Sequence, residues 1–361
     1  MSNRLRPRPP TIHDIAREAG VSAATISRVV NRRPGVAPDT RERVLRVIRE
    51  RGFSTNRTAQ ALSGGRTGLV GVTLPLIQAS YFAMLAGGVA EALSEYGLRA
   101  ILCPTKHEHE REVGLLERLL HGTTEGAVLI LPSESNDELL ALREQRYPFV
   151  VLDPKTPVPQ DIACVSAANV AGAAAATQHL LELGHRRIGA VTGPAGWCAT
   201  EERLAGYRAM LAGAGLERDP RLEVAADFEV AGGKDAAARL LSLPDPPTAL
   251  LAFNDNMAAG AFHAARERGL VLPRDLSVVG FDDAECAGLL TPALTTVRQP
   301  LAEMARMAVA LLRRQLAGAP VAELRIELGT RLVVRESTAP PPVGSTAAAR
   351  HGARRRPVPA L

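Results

Sequence analysis

The sequence contains no run of about 18 or more apolar residues, the length a helix needs to cross a bilayer. Its first residues are rich in arginine and proline, without the charged start and apolar stretch of a secretory leader. A cytoplasmic protein with no membrane partner is therefore expected. Cysteine is scarce, and Cys103, Cys164, Cys198 and Cys286 lie far apart, without paired metal-binding spacing. They read as ordinary thiols of a reducing compartment. Neither a Gly-x-Gly-x-x-Gly nor a Gly-x-x-x-x-Gly-Lys loop occurs, which disfavours nucleotide-dependent enzymes. His107 and His109 fall in a charged helical stretch and read as solvated, and Cys198 has no neighbouring base. No catalytic residue, metal or cofactor is expected.

What is present suffices for two or three domain cores: 361 residues, 46% of them hydrophobic and only 22% charged. The charge is unevenly placed. Residues 1–66 carry 14 basic and 5 acidic side chains, whereas residues 67–338 carry 25 basic and 33 acidic ones. Residues 339–361 add four arginines and no acid. The net +5 thus hides a basic head on an acidic body, and only the head is expected to meet nucleic acid.

That head begins with two short helical patterns joined by a Gly-Val-Ser corner. Thr11 and Asp14 have capping-box spacing, Gly20 suits the left-handed residue that ends a helix, and Ser22 can cap the next helix. Ile26, Val29 and Val30 share one face. A third helix follows Pro38, with Val44, Val47 and Ile48 as its buried stripe, although Ala37 supplies no cap. With Ile15, Ala16 and Ala19 these residues make the core of a small all-α unit. The second helix then turns Ala23, Ala24, Ser27 and Arg28 outward. Small residues let its backbone approach a groove, and Arg28 can reach a guanine edge or a phosphate.

From Gly68 onward strands alternate with helices. Apolar strand runs begin at Leu69, Ala100, Ala127 and Phe149, with helices at about 82–96, 108–121 and 136–145 between them. The pattern then restarts at Arg187, with a helix at Glu201 to Ala214 and strands at Ala249 and Leu276. A last helix and strand are expected at about 300–317 and 330–335. Two successive α/β halves predict two doubly wound lobes with a cleft between them.

The head resembles the headpiece of the lactose/galactose repressor family, the LacI-type transcriptional regulators. The resemblance runs through Thr11-Ile-His-Asp, Val21-Ser-x-x-Thr25-Ile-Ser-Arg-Val-Val-Asn31, Thr40-Arg41-Glu-Arg-Val44 and Asn56-Arg-Thr-Ala-Gln-Ala-Leu62. It extends through the core to about residue 338. It implies a disordered basic arm (1–10), a helix-turn-helix headpiece (11–66), a periplasmic-binding-protein-like core (67–338) and a disordered Pro/Ala/Arg tail (339–361). The last helix and strand would cross back between lobes. Thr11, Ser22, Ala23, Ala24, Thr25, Ser27, Arg28 and Asn31 would contact DNA. So would a hinge helix at about 56–63 that offers Asn56, Arg57 and Ala59 and wedges Leu62 into the minor groove. A helix that short forms only when something packs on it. With Ala23 and Ala24 making few base contacts, specificity would rest on Thr25, Arg28 and DNA shape.

Residues just after the core strands are the expected ligand contacts. The resemblance places Tyr81, Phe82, Arg203, Asn254 and Asp282 in an effector pocket, with Phe228 where the lactose repressor carries a sugar-stacking tryptophan. Trp197 and Asn256 join them by their place in the loops. Aromatic faces with an Arg, an Asn and an Asp suit a sugar or sugar derivative better than a purine. Two departures, Ala168 before Asn169 and Ile130 at a polar pocket position, leave the effector open. The whole reads as a homodimeric regulator, expected to be a repressor, on a pseudo-palindromic operator. No leucine heptad supports assembly beyond the dimer. A solute receptor for transport is the alternative for the lobes, opposed by the missing leader and the basic head. An enzyme on a doubly wound fold is the other.

Overall fold

The computed structural model describes residues 10–30, 34–51, 67–120, 123–319 and 323–342. The expected hinge helix, with Asn56, Arg57, Ala59 and Leu62, lies outside the described residues, as do Asn31, residues 1–9 of the arm and residues 343–361 of the tail. The chain divides into two units, Met1–Thr67 and Gly68–Leu361.

Local signals set the helices of the first unit, α1 (Ile12–Ala19), α2 (Ala23–Val30) and α3 (Pro38–Glu50). The Asp14 amide donates to Thr11 Oγ1 at 3.3 Å while the Thr11 amide donates to Asp14 Oδ2 at 2.9 Å, completing the capping box. Gly20 adopts φ 66°, and the following amide, Val21 N–H, closes α1 on the Ala16 carbonyl at 3.0 Å. Ser22 Oγ accepts from the Thr25 amide at 3.1 Å to start α2. Ile15, Ala16, Ala19, Ile26, Val29, Val44 and Val47 form the core, with Val30 and Ile48 packed at its edge. Arg43 donates to the Ala19 carbonyl at 3.0 Å, placing a cation at the negative end of α1.

The second unit holds two six-stranded sheets among its described residues, each with the same strand order. The first lobe contains β1 (Leu69–Leu74), β2 (Arg99–Pro104), β3 (Gly126–Ile130), β4 (Phe149–Leu152) and β5 (Cys164–Ala167). Between these strands lie α4 (Ser80–Ser94), α5 (His109–Leu120) and α6 (Asn136–Glu144). The second lobe contains α7 (Asn169–Glu182), β6 (Ile188–Thr192), α8 (Cys198–Gly213), β7 (Glu223–Ala225), α9 (Val230–Leu241), β8 (Ala249–Ala252), α10 (Asp255–Glu267), β9 (Ser277–Asp282), α11 (Glu285–Leu289) and β10 (Thr295–Arg298). The chain then returns through α12 (Leu301–Leu316) and β11 (Arg325–Leu328) to the first lobe, and β12 (Arg331–Val333) rejoins the second. The orders are β11-β5-β4-β3-β1-β2 and β12-β10-β9-β8-β6-β7, parallel except for β12 against β10.

Central strands such as β3, β4, β6 and β8 are buried along their whole length, as expected of parallel strands covered by helices on both faces. Each fully buried Val, Leu or Ile contributes about 1.5–3 kcal/mol. In the second lobe the helices meet backbone to backbone. A Cβ on Gly206 of α8 would lie 2.2 Å from the Val170 carbonyl oxygen of α7, so only glycine permits that approach.

The expected boundary at residue 338 moves. His185 is buried and Nε2 meets the Ala339 carbonyl at 2.9 Å, while the Ala339 amide donates to Ser277 Oγ at 3.0 Å. These bonds tie Ala339 to the second lobe, so the first residue assigned to the tail packs with the core. Strands β5, β7, β10 and β11 were not marked in the sequence, being three or four residues long and without the unbroken apolar run of β4 or β8. Among the described residues no helix is long and apolar enough to cross a membrane.

Candidate functional site

The residues that follow the strands of both sheets meet across an open cleft between the two lobes. The loop after β1 brings Tyr81 and Phe82 at the start of α4. Leu131 and Asp153 come directly after β3 and β4. From the second lobe, Trp197 precedes α8, which also supplies Arg203. Phe228 follows β7, Asn254 to Asn256 follow β8, and Asp282 ends β9. All eight effector contacts anticipated in the sequence line this cleft: Tyr81, Phe82, Trp197, Arg203, Phe228, Asn254, Asn256 and Asp282.

Aromatic rings form one continuous arc across it. Centroids lie 5.4 Å apart for Tyr81–Phe82, 6.3 Å for Phe82–His107, 5.8 Å for His107–Trp197 and 5.5 Å for Trp197–Phe228. His107 is exposed, as a solvated residue would be, but it stands before α5 rather than in it, and its ring completes the arc. His107 precedes α5 with φ 61°, and burial, with Lys155 nearby, lowers its imidazole from the ordinary value. His109, on α5, is half-exposed as anticipated and bonds the Ser133 carbonyl at 2.9 Å.

Opposite the arc is a polar floor. Arg203 is buried, donates through Nε to Asn169 Oδ1 at 2.9 Å and through a second nitrogen to the Phe253 carbonyl, and stacks 3.8 Å over the Phe281 ring. Asn254 caps α10 by accepting the Met257 amide at 2.8 Å, and its amide donates to the Phe228 carbonyl at 2.8 Å. Capping and lining are thus one role, not rival ones. Asp282 accepts from Gln299 at 2.7 Å; burial pushes its carboxyl up to about 7 against the pull of Arg203. Asp255, fully enclosed, accepts from Thr296 and the Ala284 amide, and burial raises it well above the usual range, with the Asp282 charge adding to the effect. Asp153 accepts from Tyr81 at 2.7 Å and is likewise raised by burial.

Backbone strain concentrates here. His107, Leu131, Asp153, Phe228 and Asp282 all take positive φ without being glycine. Strain of that kind persists only where the surroundings over-determine it, as at ligand sites.

Two expectations about the cleft need correction. Ile130 is fully buried in β3 and packs in the core of the first lobe, so it removes no polar group from the cleft. The polar group on that side is Asp153. Ala168, in turn, carries no cap, while Asn169 works from behind, bonding Glu202 at 2.8 Å and holding Arg203. Asp153, Asp255 and His107 were missed in the sequence. Asp153 and His107 stand just after β4 and β2, where the rule applied to the other strands would have found them.

In the N-terminal unit, Ser22, Ala24, Ser27 and Arg28 are exposed on α2, while Ala23 and Thr25 are half-covered. Thr11 is taken up by the cap of α1, its hydroxyl donating to Asp14 at 2.7 Å. The exposed stripe lies opposite Ile26 and Val29, as a helix that docks outward requires.

Comparison with known proteins gives the context. A family model described as bacterial regulatory proteins, lacI family, matches residues 11–56, and one described as a periplasmic binding protein-like domain matches residues 177–338. The HTH-type transcriptional regulator DegA of Bacillus subtilis (strain 168) is 34% identical over 334 residues, covering 91% of this chain and 98% of DegA. A solved transcriptional regulator CelR–cellobiose complex is similar at 34% identity and TM-score 0.71, over 91% of this chain and 99% of that one. The crystal structure of the Lac repressor dimer bound to operator and the anti-inducer ONPF is similar at TM-score 0.83 and 27% identity, over 92% of this chain and all (100%) of that one.

Proposed function

This chain belongs to the lacI family of bacterial regulatory proteins and is a DNA-binding transcriptional regulator, and from that premise we propose that its cleft takes an uncharged carbohydrate that controls its hold on an operator. The carrying observation is the contrast across the cleft. A continuous aromatic arc faces a floor with three carboxyl groups, Asp153, Asp255 and Asp282, and a single buried arginine. Rings cover the apolar face of a pyranose while the carboxyl groups hydrogen-bond its hydroxyls. Arg203 already serves Asn169 and Phe253, and burial disfavours further charge beside Asp153, Asp255 and Asp282, so a phosphate or sugar acid would meet no unengaged cation on this floor. The similar CelR structure, solved with cellobiose, supports a neutral sugar.

On this reading a homodimer presents two copies of α2 to a pseudo-palindrome in the cytoplasm, with Ser22, Ala24, Ser27 and Arg28 toward the groove and the segment around Leu62 as hinge. The similar Lac repressor dimer on operator supports that arrangement. Sugar binding favours one closure of the lobes, and the operator favours another. Each affects the other only through its differential affinity for the two states. The polar side chains of the cleft are held by caps and structural bonds, which suits binding rather than turnover.

The test is operator binding by fluorescence anisotropy, with a pseudo-palindrome from upstream of the gene, against a panel of neutral sugars and their phosphates. A neutral sugar should shift operator affinity roughly tenfold or more, about 1.4 kcal/mol of coupling, and its phosphate should not. A preference for the phosphate would refute the charge argument. Leu62→Ala should weaken operator binding with sugar binding intact; unchanged operator affinity would remove the hinge role.

A further inference from the structure

Away from the cleft, the first lobe encloses a second cluster of buried polar atoms. On the face of β1 turned toward α5, a Cβ at Gly71 would meet Leu119, and Thr73 lies two residues further along that face. Glu112 stands seven residues before Leu119, two turns along the same side of α5. Ser133 and Glu134 arrive from the segment after β3, and the Ser133 amide donates to Glu112 Oε2 at 3.0 Å. Beyond that bond, Thr73 Oγ1, Glu112 Oε1, Ser133 Oγ and both carboxyl oxygens of Glu134 have no hydrogen-bond partner among the described residues. Thr73 is 0%, Glu112 1% and Glu134 4% exposed. Burial raises the Glu112 carboxyl while the Ser133 and Thr73 hydroxyls beside it pull it down, and burial with the Glu112 charge pushes Glu134 up to about 8. Among the described residues neither glutamate has an ion-pair partner; the nearby His109 is engaged by Glu138 at 3.1 Å.

Two enclosed carboxyl groups, side by side and without a cation, are costly to hold in a fold. The atoms facing one another are all oxygen. Among the described residues no three His, Cys, Asp or Glu are grouped to hold a metal, so the hydroxyls are needed to complete a donor set. We infer that Glu112, Glu134, Thr73 and Ser133 form a binding site for a hard divalent cation, Ca²⁺ or Mg²⁺. Oxygen-only ligation, with two carboxylates and two hydroxyls, selects these ions over softer metals. The cation joins α5 to the segment after β3, whose Leu131 lines the cleft, and so braces one wall of the effector site from behind.

The test uses the full chain, treated with chelator, exchanged into metal-free buffer and melted with CaCl₂ or MgCl₂ against NaCl of equal ionic strength. One of the two divalent ions should raise Tm by about 3–6 °C at saturating concentration, and calorimetric titration should show one site per chain. The larger shift identifies the ion. The E112Q/E134Q double variant removes both charges, should fold at least as stably as the untreated wild type in chelator, and should lose the shift. Glu138→Gln, at the exposed neighbour, should keep it. A wild type indifferent to both ions, as a pair that merely shares a proton would be, overturns the inference. So does a double variant with an undiminished shift.

Discussion

The two lobes repeat one strand order, yet they treat buried charge in opposite ways. In the second lobe nearly every enclosed charge is answered by a neighbour. Asp283 is gripped by Arg298 and Arg335, Asp255 by Thr296 and the Ala284 amide, and Arg203 by Asn169 and the Phe253 carbonyl. In the first lobe Asp153 has Tyr81, but Glu112 and Glu134 face each other with oxygens unanswered among the described residues. The same topology therefore supports a rigid polar floor on one side of the cleft and a wall with unpartnered carboxyl oxygens on the other. Topology sets where side chains emerge; the side chains alone decide what that place is worth.

The largest expected effect tests the claim that the second lobe's network is a closed set. Arg203→Ala leaves Asp282 and Asp153 without their compensating cation and removes the stacking on Phe281. It also leaves Asn169 and the Phe253 carbonyl without their buried donor, at about 1–3 kcal/mol for each unsatisfied acceptor, to be read from urea denaturation, and sugar binding should vanish with it. A loss under about 1 kcal/mol would mean that water, not Arg203, compensates the aspartates.

The next prediction compares the helix contacts of the lobes. At Gly206 a Cβ would strike backbone, 2.2 Å from the Val170 carbonyl oxygen, whereas at Gly88 of α4 it would meet the Ala305 methyl at 3.0 Å. Gly206→Ala should cost about 1–3 kcal/mol and Gly88→Ala distinctly less. Denaturant midpoints of the two variants give the order directly, and a reversed order would break the contrast.

A smaller effect concerns the ring arc that joins the lobes. Trp197 is the chain's one tryptophan and lines the cleft, so its emission should change on sugar binding without any label. Trp197→Phe should keep binding within a fewfold, while Trp197→Ala should weaken it roughly tenfold, about 1.4 kcal/mol, by calorimetry. Equal affinities for both would deny the ring a stacking role.

The smallest effect is a slope. Burial holds Asp282 at about 7, above the ordinary carboxylate value of about 3.9. Between those values the folded state keeps a proton that the unfolded chain has lost. The stabilisation is therefore complete below the lower value and is lost as pH rises through about 7. Urea midpoints of the wild type should fall more steeply between pH 5 and 8 than those of Asp282→Asn. Parallel slopes would show that Asp282 is not enclosed.

The headpiece helices were legible in the sequence because their signals are local. Thr11 with Asp14, Gly20 and Ser22 act over three or four residues, and the structure uses each as expected. The long central strands were legible for a related reason: burial on both faces leaves an unbroken apolar run. Strands β5, β7, β10 and β11 were not, since they mix polar and apolar residues and gain their strand character from a neighbour already in place. The place of the His107 ring in the arc was not legible because a lysine and a glutamate flank it in the chain, while its ring contacts, Phe82 and Trp197, come from 25 residues before it and 90 after it.

By itself, then, the sequence determined the division into a basic helical unit and an α/β core. It also determined the stripe on α2 that faces outward and the identity of eight residues that reach the cleft, because strand ends and helix caps are written in adjacent residues. Only the tertiary structure decided what those residues do to one another. That Arg203 stacks on Phe281, that three aspartates share one floor, that Ile130 turns inward while Asp153 turns to the cleft, and that Glu112 meets Glu134 all depend on segments far apart in sequence. The cost of a buried charge is fixed by what surrounds it in space, and no stretch of chain carries that information alone.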